Sequence, residues 1–522
     1  MADNFCFERR ESSFLVPFLS VPSFLSSCAI MSKPHRVLVT LGPSASGKST
    51  LVGHLLHLQH RRAPMGRPGE ESRFSFIVDR HRDERLNRAT IHGSLEFLET
   101  PEATFTVVDT PGLQRYFRNT VAGISLADVA LVVIDVMKGL EKSSPIKDML
   151  LLAYAFRVRK IVVAVNRMDV VLQDKQQEKF NEVKAAVEEF VKKLGFSPSF
   201  FAYVPVGALG GINVTEATGE RGFPWFTGWE AEWGKEKVTG TTLLEALSEV
   251  GRSVVPATET EKAAPLRVPV FRASRGVNGG TVCIGRVAAG TLRENMIVTI
   301  LPANITTTVR SIERHSKSRS HAECKELVSF WLPDVSVREV HRGSLVSDSA
   351  NSPATSTRTF KARLVQASSA ATLKPGTAFM LVSGTSQVEC RISSINQLLN
   401  KTNGTVLQEK PEKIRVNDHC SVDITPSDSL LVMDTASKCI PLSAFAFLYK
   451  NKVIALGVVT EVTPRWTPGL APRFPRNVST LFPHNRHAPH RHKISISFLF
   501  VSSRTLLLTI LQFCLMTAGS LF

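Results

Sequence analysis

Residues 42–50 read GPSASGKST and follow the apolar run RVLVTL without a break. Gly42, Gly47, Lys48 and Ser49 satisfy G-x-x-x-x-G-K-[S/T], a loop that works only between a strand and the first turn of a helix. Along such a loop, from Gly42 through Pro43, Ser44, Ala45, Ser46 and Gly47 to Thr50, main-chain N–H groups face phosphate. Lys48 then supplies a point charge to the β- and γ-oxygens, and Ser49 a hydroxyl to magnesium. A chain holding this element is committed to an α/β layer with a parallel sheet.

The flanking sequence agrees. Between Met31 and about Gly251, the runs RVLVTL, TFTVVD, VALVVID, KIVVAVN and FFAYVPV read as strands. Helical patterns alternate with them in KSTLVGHLLHLQ, SSPIKDMLLLAYAF and KQQEKFNEVKAAVEEFVKKLGF, the last with opposite charges at i,i+4. TFTVVDTPG ends a strand in Asp109, suited to hold magnesium through water, and leaves Gly112 to turn its N–H toward the γ-phosphate. Farther on, NRMD places Asn166, Arg167, Met168 and Asp169 at a strand end. A carboxylate there accepts from N1 and N2 of guanine, which adenine does not offer, so the nucleotide is expected to be GTP or GDP. Arg167 stands where a lysine is usual and keeps a charged stem over the base.

At 522 residues the chain exceeds a single core, and a hydrophobic content of 43% is enough for several. The formal net charge is +17, with a pI near 9.7, which points either to an acidic partner such as RNA, the ribosome or an anionic membrane surface or, equally, to a solvated basic surface. Part of that charge sits in a tail with seven Lys or Arg and no acid over residues 464–522. The eight cysteines contain no C-x-x-C pair and read as reduced thiols in a cytoplasmic protein without a zinc site. Residues 1–30 read as a leader or as sequence upstream of a start at Met31. Residues 463–522 form a basic, then apolar, tail. Within it 494–515 is long enough to span a bilayer, although Arg504 in mid-span opposes insertion. A tail anchor and translated non-coding sequence are the two readings of that segment.

With these motifs in place the chain resembles the translation elongation GTPases, most closely the elongation factor 1-alpha family, over residues 31–462. FSFIVDRHRDERLNRATI matches that family's first switch and puts Thr90 at its magnesium-ligating threonine. PWFTGW, GTTLLEAL, GTVCIGRV, DVSVREVHRG and VIALGVVTEV carry the likeness onward. The resemblance implies a GTP-binding domain at 31–257 followed by β-barrels at 258–355 and 356–462. It implies GTP, GDP and Mg2+ as ligands. The ribosome, aminoacyl-tRNA or another RNA, and a nucleotide exchange factor are the implied partners; a membrane is one only through 494–515.

The departures from that family concern chemistry. Pro43, Ser44 and Ala45 stand where the family has His-Val-Asp, and Gly207 followed by Ala208 where a serine contacts the base. Leu113 occupies the position of the histidine that stabilises the attacking water, and Gln114 is the neighbouring side chain able to substitute for it. His315 is retained in the stretch that meets aminoacyl-tRNA, whereas Ala444, Leu448 and Asn451 replace arginines expected on tRNA. The expectation is a divergent elongation-factor-like GTPase with weakened hydrolysis. The alternative is a GTP-dependent binding module acting on RNA or protein outside tRNA delivery.

Overall fold

A computed structural model describes residues 33–60, 74–141, 144–217, 222–234, 237–401, 403–427 and 431–464. The leader, the tail with its candidate span at 494–515, and Cys6, Cys28 and Cys514 lie outside the described residues. Among those described, no helix is long and apolar enough to cross a membrane.

The first domain is a six-stranded sheet in the order β2-β3-β1-β4-β5-β6. Its strands are β1 (His35–Leu41), β2 (Ser94–Glu99), β3 (Thr104–Asp109), β4 (Val129–Asp135), β5 (Lys160–Asn166) and β6 (Phe201–Pro205). All pairings are parallel except that of β2 with β3. The sheet is covered on both faces, which is why β4 is apolar from Val129 to Ile134, with every residue of the strand buried. Residues of β1 alternate between two cores. Val37, Val39 and Leu41 meet α3 (Phe117–Leu126), α4 (Ile146–Ala155) and α5 (Gln173–Lys193). Leu38 meets α1 (Lys48–His60) and α6 (Leu243–Ser253). The expected strands and helices are present, and β2, α2 (Arg82–Asn87), α3 and α6 are among the additions to that reading. SLEFLE in β2 is a charged edge strand, and its partial burial gave no unbroken apolar run to recognise.

Two antiparallel domains follow. The second runs from β9 (Arg267–Arg275) through β10 (Thr281–Arg286) to β18 (Leu345–Asp348), with eight of its strands in one sheet around a core that includes Val268, Val298 and Phe330. In the third, β20 (Ala378–Ser383) pairs with both β21 (Ser386–Leu399) and β24 (Ala444–Tyr449). That double pairing closes a six-stranded barrel through β25 (Lys452–Pro464), β19 (Thr357–Gln366) and β23 (His419–Pro426). This is a P-loop α/β domain followed by β-barrels, as expected.

Polar seams join the domains. Arg286 donates to the Leu126 carbonyl at 2.6 Å and pairs with Asp128, tying the second domain to the end of α3. Between the barrels Arg267 and Asp434, almost wholly buried, form an ion pair at 2.8 Å.

Candidate functional site

The phosphate-facing loop leaves β1 at Leu41 and enters α1 at Lys48. Its glycines are steric requirements at two points. Gly42 has φ 146°, and a Cβ there would lie 2.3 Å from the Val133 carbonyl; at Gly47, φ 90°, it would lie 2.2 Å from Asn166 Nδ2. Lys48 is buried and donates to the Gly42 and Pro43 carbonyls, both at 3.0 Å. Burial lowers its pKa to about 8, against the raising influence of Asp109 and Asp79.

Beside Lys48 a set of oxygens converges. Ser49 Oγ donates to Asp109 Oδ2 at 2.7 Å and lies 2.9 Å from Thr90 Oγ1, which donates to Asp79 Oδ1 at 2.9 Å. Thr40 Oγ1 holds the other Asp109 oxygen at 2.5 Å. Both hydroxyl protons are thus directed at carboxylates, and the Ser49 and Thr90 lone pairs face each other. Burial raises the pKa of Asp79 to about 7 and raises that of Asp109 as well. Hard oxygens around two under-neutralised carboxylates suit a divalent cation such as magnesium. Among the described residues no group of three or more His, Cys, Asp or Glu side chains could hold a metal, so phosphate oxygens would have to complete this set.

Sequence reading missed Asp79 and Glu84 here. Glu84, on α2 and buried, accepts from the Ile91 and His92 amides at 3.0 and 2.8 Å, fixing the chain just after Thr90. The acidic spacing in RDERLN was the available signal, but it reads equally as a solvated helix face.

Gly112 presses against the phosphate loop. A Cβ there would stand 2.5 Å from Ser44 N and 2.6 Å from Lys48 Nζ. Leu113 follows in extended conformation, half-buried, before a single 3-10 turn over Gln114–Tyr116. Gln114 does not face the loop. Its Nε2 donates to the Asn451 carbonyl at 2.5 Å, and Asn451 Nδ2 donates back to the Gln114 carbonyl at 3.2 Å.

At the base end Asn166 is a tie rather than a free contact. Its Nδ2 donates to the Ser46 carbonyl at 2.8 Å and its Oδ1 accepts from the Ala208 amide at 3.0 Å. The Gly207 amide donates to the Ile212 carbonyl, so the main-chain amides of Gly207 and Ala208, which stand where the family has its base-contacting serine, already have protein partners. Asp169 is exposed, next to Gly207, whose missing Cβ would meet its carboxyl at 3.1 Å. Arg167 pairs with Asp135 at 3.0 Å, and Met168 is a core side chain without exposure. Thr50 lies on α1, half-buried.

Two positions compared with tRNA contacts turn out to be occupied within the protein. Ala444 and Leu448 are buried, Leu448 against the core of the first domain, so neither presents a surface to a nucleic acid. His315 Nε2 bonds Thr106 Oγ1 of the first domain at 2.8 Å, with Phe97 against its ring. Basic character gathers elsewhere. Arg342 is held below its usual pKa by burial and then by the charges of Arg118 and Arg272, where all three domains approach.

Comparison with known proteins gives three family matches in this order: the elongation factor Tu GTP binding domain over residues 33–253, elongation factor Tu domain 2 over 280–347, and the GTP-eEF1A C-terminal domain-like family over 359–460. Elongation factor 1-alpha of Onchocerca volvulus is 30% identical over 447 residues, 82% of this chain and 94% of that protein. Among solved structures, the GTP-bound GTPase-like domain of S. cerevisiae Ski7 superposes with a TM-score of 0.66 at 16% identity, covering 82% of this chain and 97% of that one. A bacterial selenocysteine-specific elongation factor gives 0.57 at 17% identity over 81% of this chain; the match spans 58% of that longer chain.

Proposed function

The chain belongs to the elongation factor 1-alpha family of translational GTPases, and from that premise we propose that it binds GTP and GDP with Mg2+ but hydrolyses GTP slowly. Ser49, Thr90 and Asp109, with Asp79 beside them, hold the cation, Lys48 meets the phosphates, and Asp169 reads guanine. The observation that carries the slow rate is the arrangement beyond Gly112. Leu113 has neither donor nor acceptor, and Gln114 is bonded to Asn451 instead. Water orientation is much of what such a protein contributes to hydrolysis, so binding persists while turnover declines.

The partner we favour is RNA on or around the ribosome, in the cytoplasm, with aminoacyl-tRNA among the candidates and a nucleotide exchange factor alongside. Arg118, Arg272 and Arg342 support an anionic partner at the junction of the domains. The second reading, a GTP-dependent binding module outside tRNA delivery, draws on Leu113 and on the burial of Ala444 and Leu448.

Nucleotide titration followed by single-turnover hydrolysis, with and without ribosomes, tests the proposal. Lys48→Ala is expected to weaken GTP binding at least ~30-fold, as loss of a hydrogen bond to a charged group does. Asp169→Asn should abolish the preference for guanine over adenine. Leu113→His should accelerate hydrolysis about 10- to 100-fold. Equal affinity for ATP sinks the guanine assignment, and a wild-type rate already matching a histidine-bearing factor sinks the slow-turnover reading.

A further inference from the structure

We propose that Gln114 and Asn451 form an autoinhibitory latch, by which the third domain holds the residue after Leu113 and keeps its amide out of the γ-phosphate pocket. The proposal deepens the slow-hydrolysis reading and rests on it. Of Leu113, Gln114 and Arg115, Gln114 alone carries both a donor and an acceptor, the pair that orienting a water molecule requires. Its donor, Nε2, is committed to an interdomain bond with the Asn451 carbonyl.

The contact is built from both sides. Tyr449 and Lys452 pair across a two-residue hairpin whose central residues, Lys450 and Asn451, have φ of 49° and 60°. This backbone favours asparagine, and it brings the Asn451 main-chain carbonyl to the Gln114 side-chain amide and the Asn451 side-chain amide to the Gln114 peptide carbonyl. Flanking bonds hold the same surfaces in place. Gln387 Nε2 donates to the Arg118 carbonyl at 2.7 Å, and the Asp148 carboxyl accepts from the Val453 amide. Gln114 is therefore a positioning residue in the state described, restrained from the reacting phosphate.

The decisive variants are Asn451→Gly, which keeps the left-handed turn while deleting the Nδ2 bond to the Gln114 peptide, and Asn451→Asp, which keeps size and turn but cannot donate; in both, the main-chain carbonyl of residue 451 is left to hold the Gln114 side chain by one bond in place of a two-bond clamp. In nucleotide-free full-length protein, amide hydrogen exchange over residues 113–117 is expected to rise about fivefold in either. Single-turnover GTP hydrolysis should rise about three- to tenfold, with GTP and GDP affinities within about twofold of wild type. The gain should vanish in Asn451→Gly/Gln114→Ala. Unchanged exchange overturns the latch, and a gain that survives loss of Gln114 overturns its inhibitory role. Failure of the wild type to bind GTP overturns the proposed function and, with it, the inhibitory role, whereas exchange, measured without nucleotide, decides the latch separately.

Discussion

Ala45, exposed at the crest of the phosphate loop, has φ 60°, a left-handed conformation that brings its Cβ toward the following carbonyl. Where the backbone must turn this way, glycine relieves roughly 1–2 kcal/mol of strain. It returns roughly 0.4–1 kcal/mol through the added freedom of the unfolded chain. Ala45→Gly is thus expected to stabilise the protein by about 0.5–1 kcal/mol, read as a higher urea midpoint at unchanged slope. A lower midpoint would show that the Ala45 methyl makes a contact that outweighs the strain. The same scale explains why Leu113 was legible from sequence: a missing functional group is a property of one residue, whatever surrounds it.

At the scale of elements, α1 and the turn leading to Asp79 are pressed together through Gly53. A Cβ there would lie 2.0 Å from the Phe74 carbonyl, a backbone atom that cannot give way alone. Helix propensity favours alanine over glycine by about 1 kcal/mol. Overpacking against a rigid neighbour costs about 1–3 kcal/mol, so the collision wins or at least cancels the gain. Gly53→Ala is expected to destabilise the protein by about 1–2 kcal/mol and to weaken magnesium-dependent GTP binding, since Phe74 leads through the turn Ser75–Ile77 into Asp79. Chemical denaturation and titration with and without Mg2+ check both parts. Stabilisation instead would mean that the two elements separate freely. Nothing in KSTLVGHLLHLQ marks Gly53 as a contact, because its partner lies in another element.

For the whole molecule, the seams between domains respond to acid with opposite signs. Thr106 Oγ1 bonds Nε2 of both His35, at 2.9 Å, and His315, at 2.8 Å. A hydroxyl donates only once, so at most one of the two rings accepts from it and the other donates. Burial, then neighbouring positive groups, lower His35 to about 2 and His315 to about 4 from an ordinary 6.5. The contribution of this seam is complete above pH 6.5 and is lost as pH falls toward 4, because the separated histidines take up protons first. Asp148 acts the other way. Burial raises it from 3.8 to about 6, so its cost at the third-domain seam is relieved on acidification. Between pH 7 and 5 the wild type should therefore lose more unfolding free energy than His315→Gln, in paired denaturation curves. Parallel losses would remove His315 from control of that seam.

Lys48, Ser49, Asp109 and Asp169 were readable from spacing because each follows a strand whose end is written in the chain as apolar residues giving way to Gly, Asp or Asn. So were the α/β order and the nucleotide class. The sequence by itself marked the phosphate loop, Asp109 and Asp169 as members of the site and showed that Leu113 brings no proton chemistry to it. Only the tertiary structure decided that Asp79 meets Thr90 beside Ser49, that Ala444 and Leu448 are buried, that His315 seals a domain seam, and that Gln114 is held by Asn451 across 337 positions. The physical reason is one of range. Strand ends and turns are set by neighbours a few residues away, whereas the partner of a buried carboxyl or amide is set by which distant surface folding brings within 3 Å.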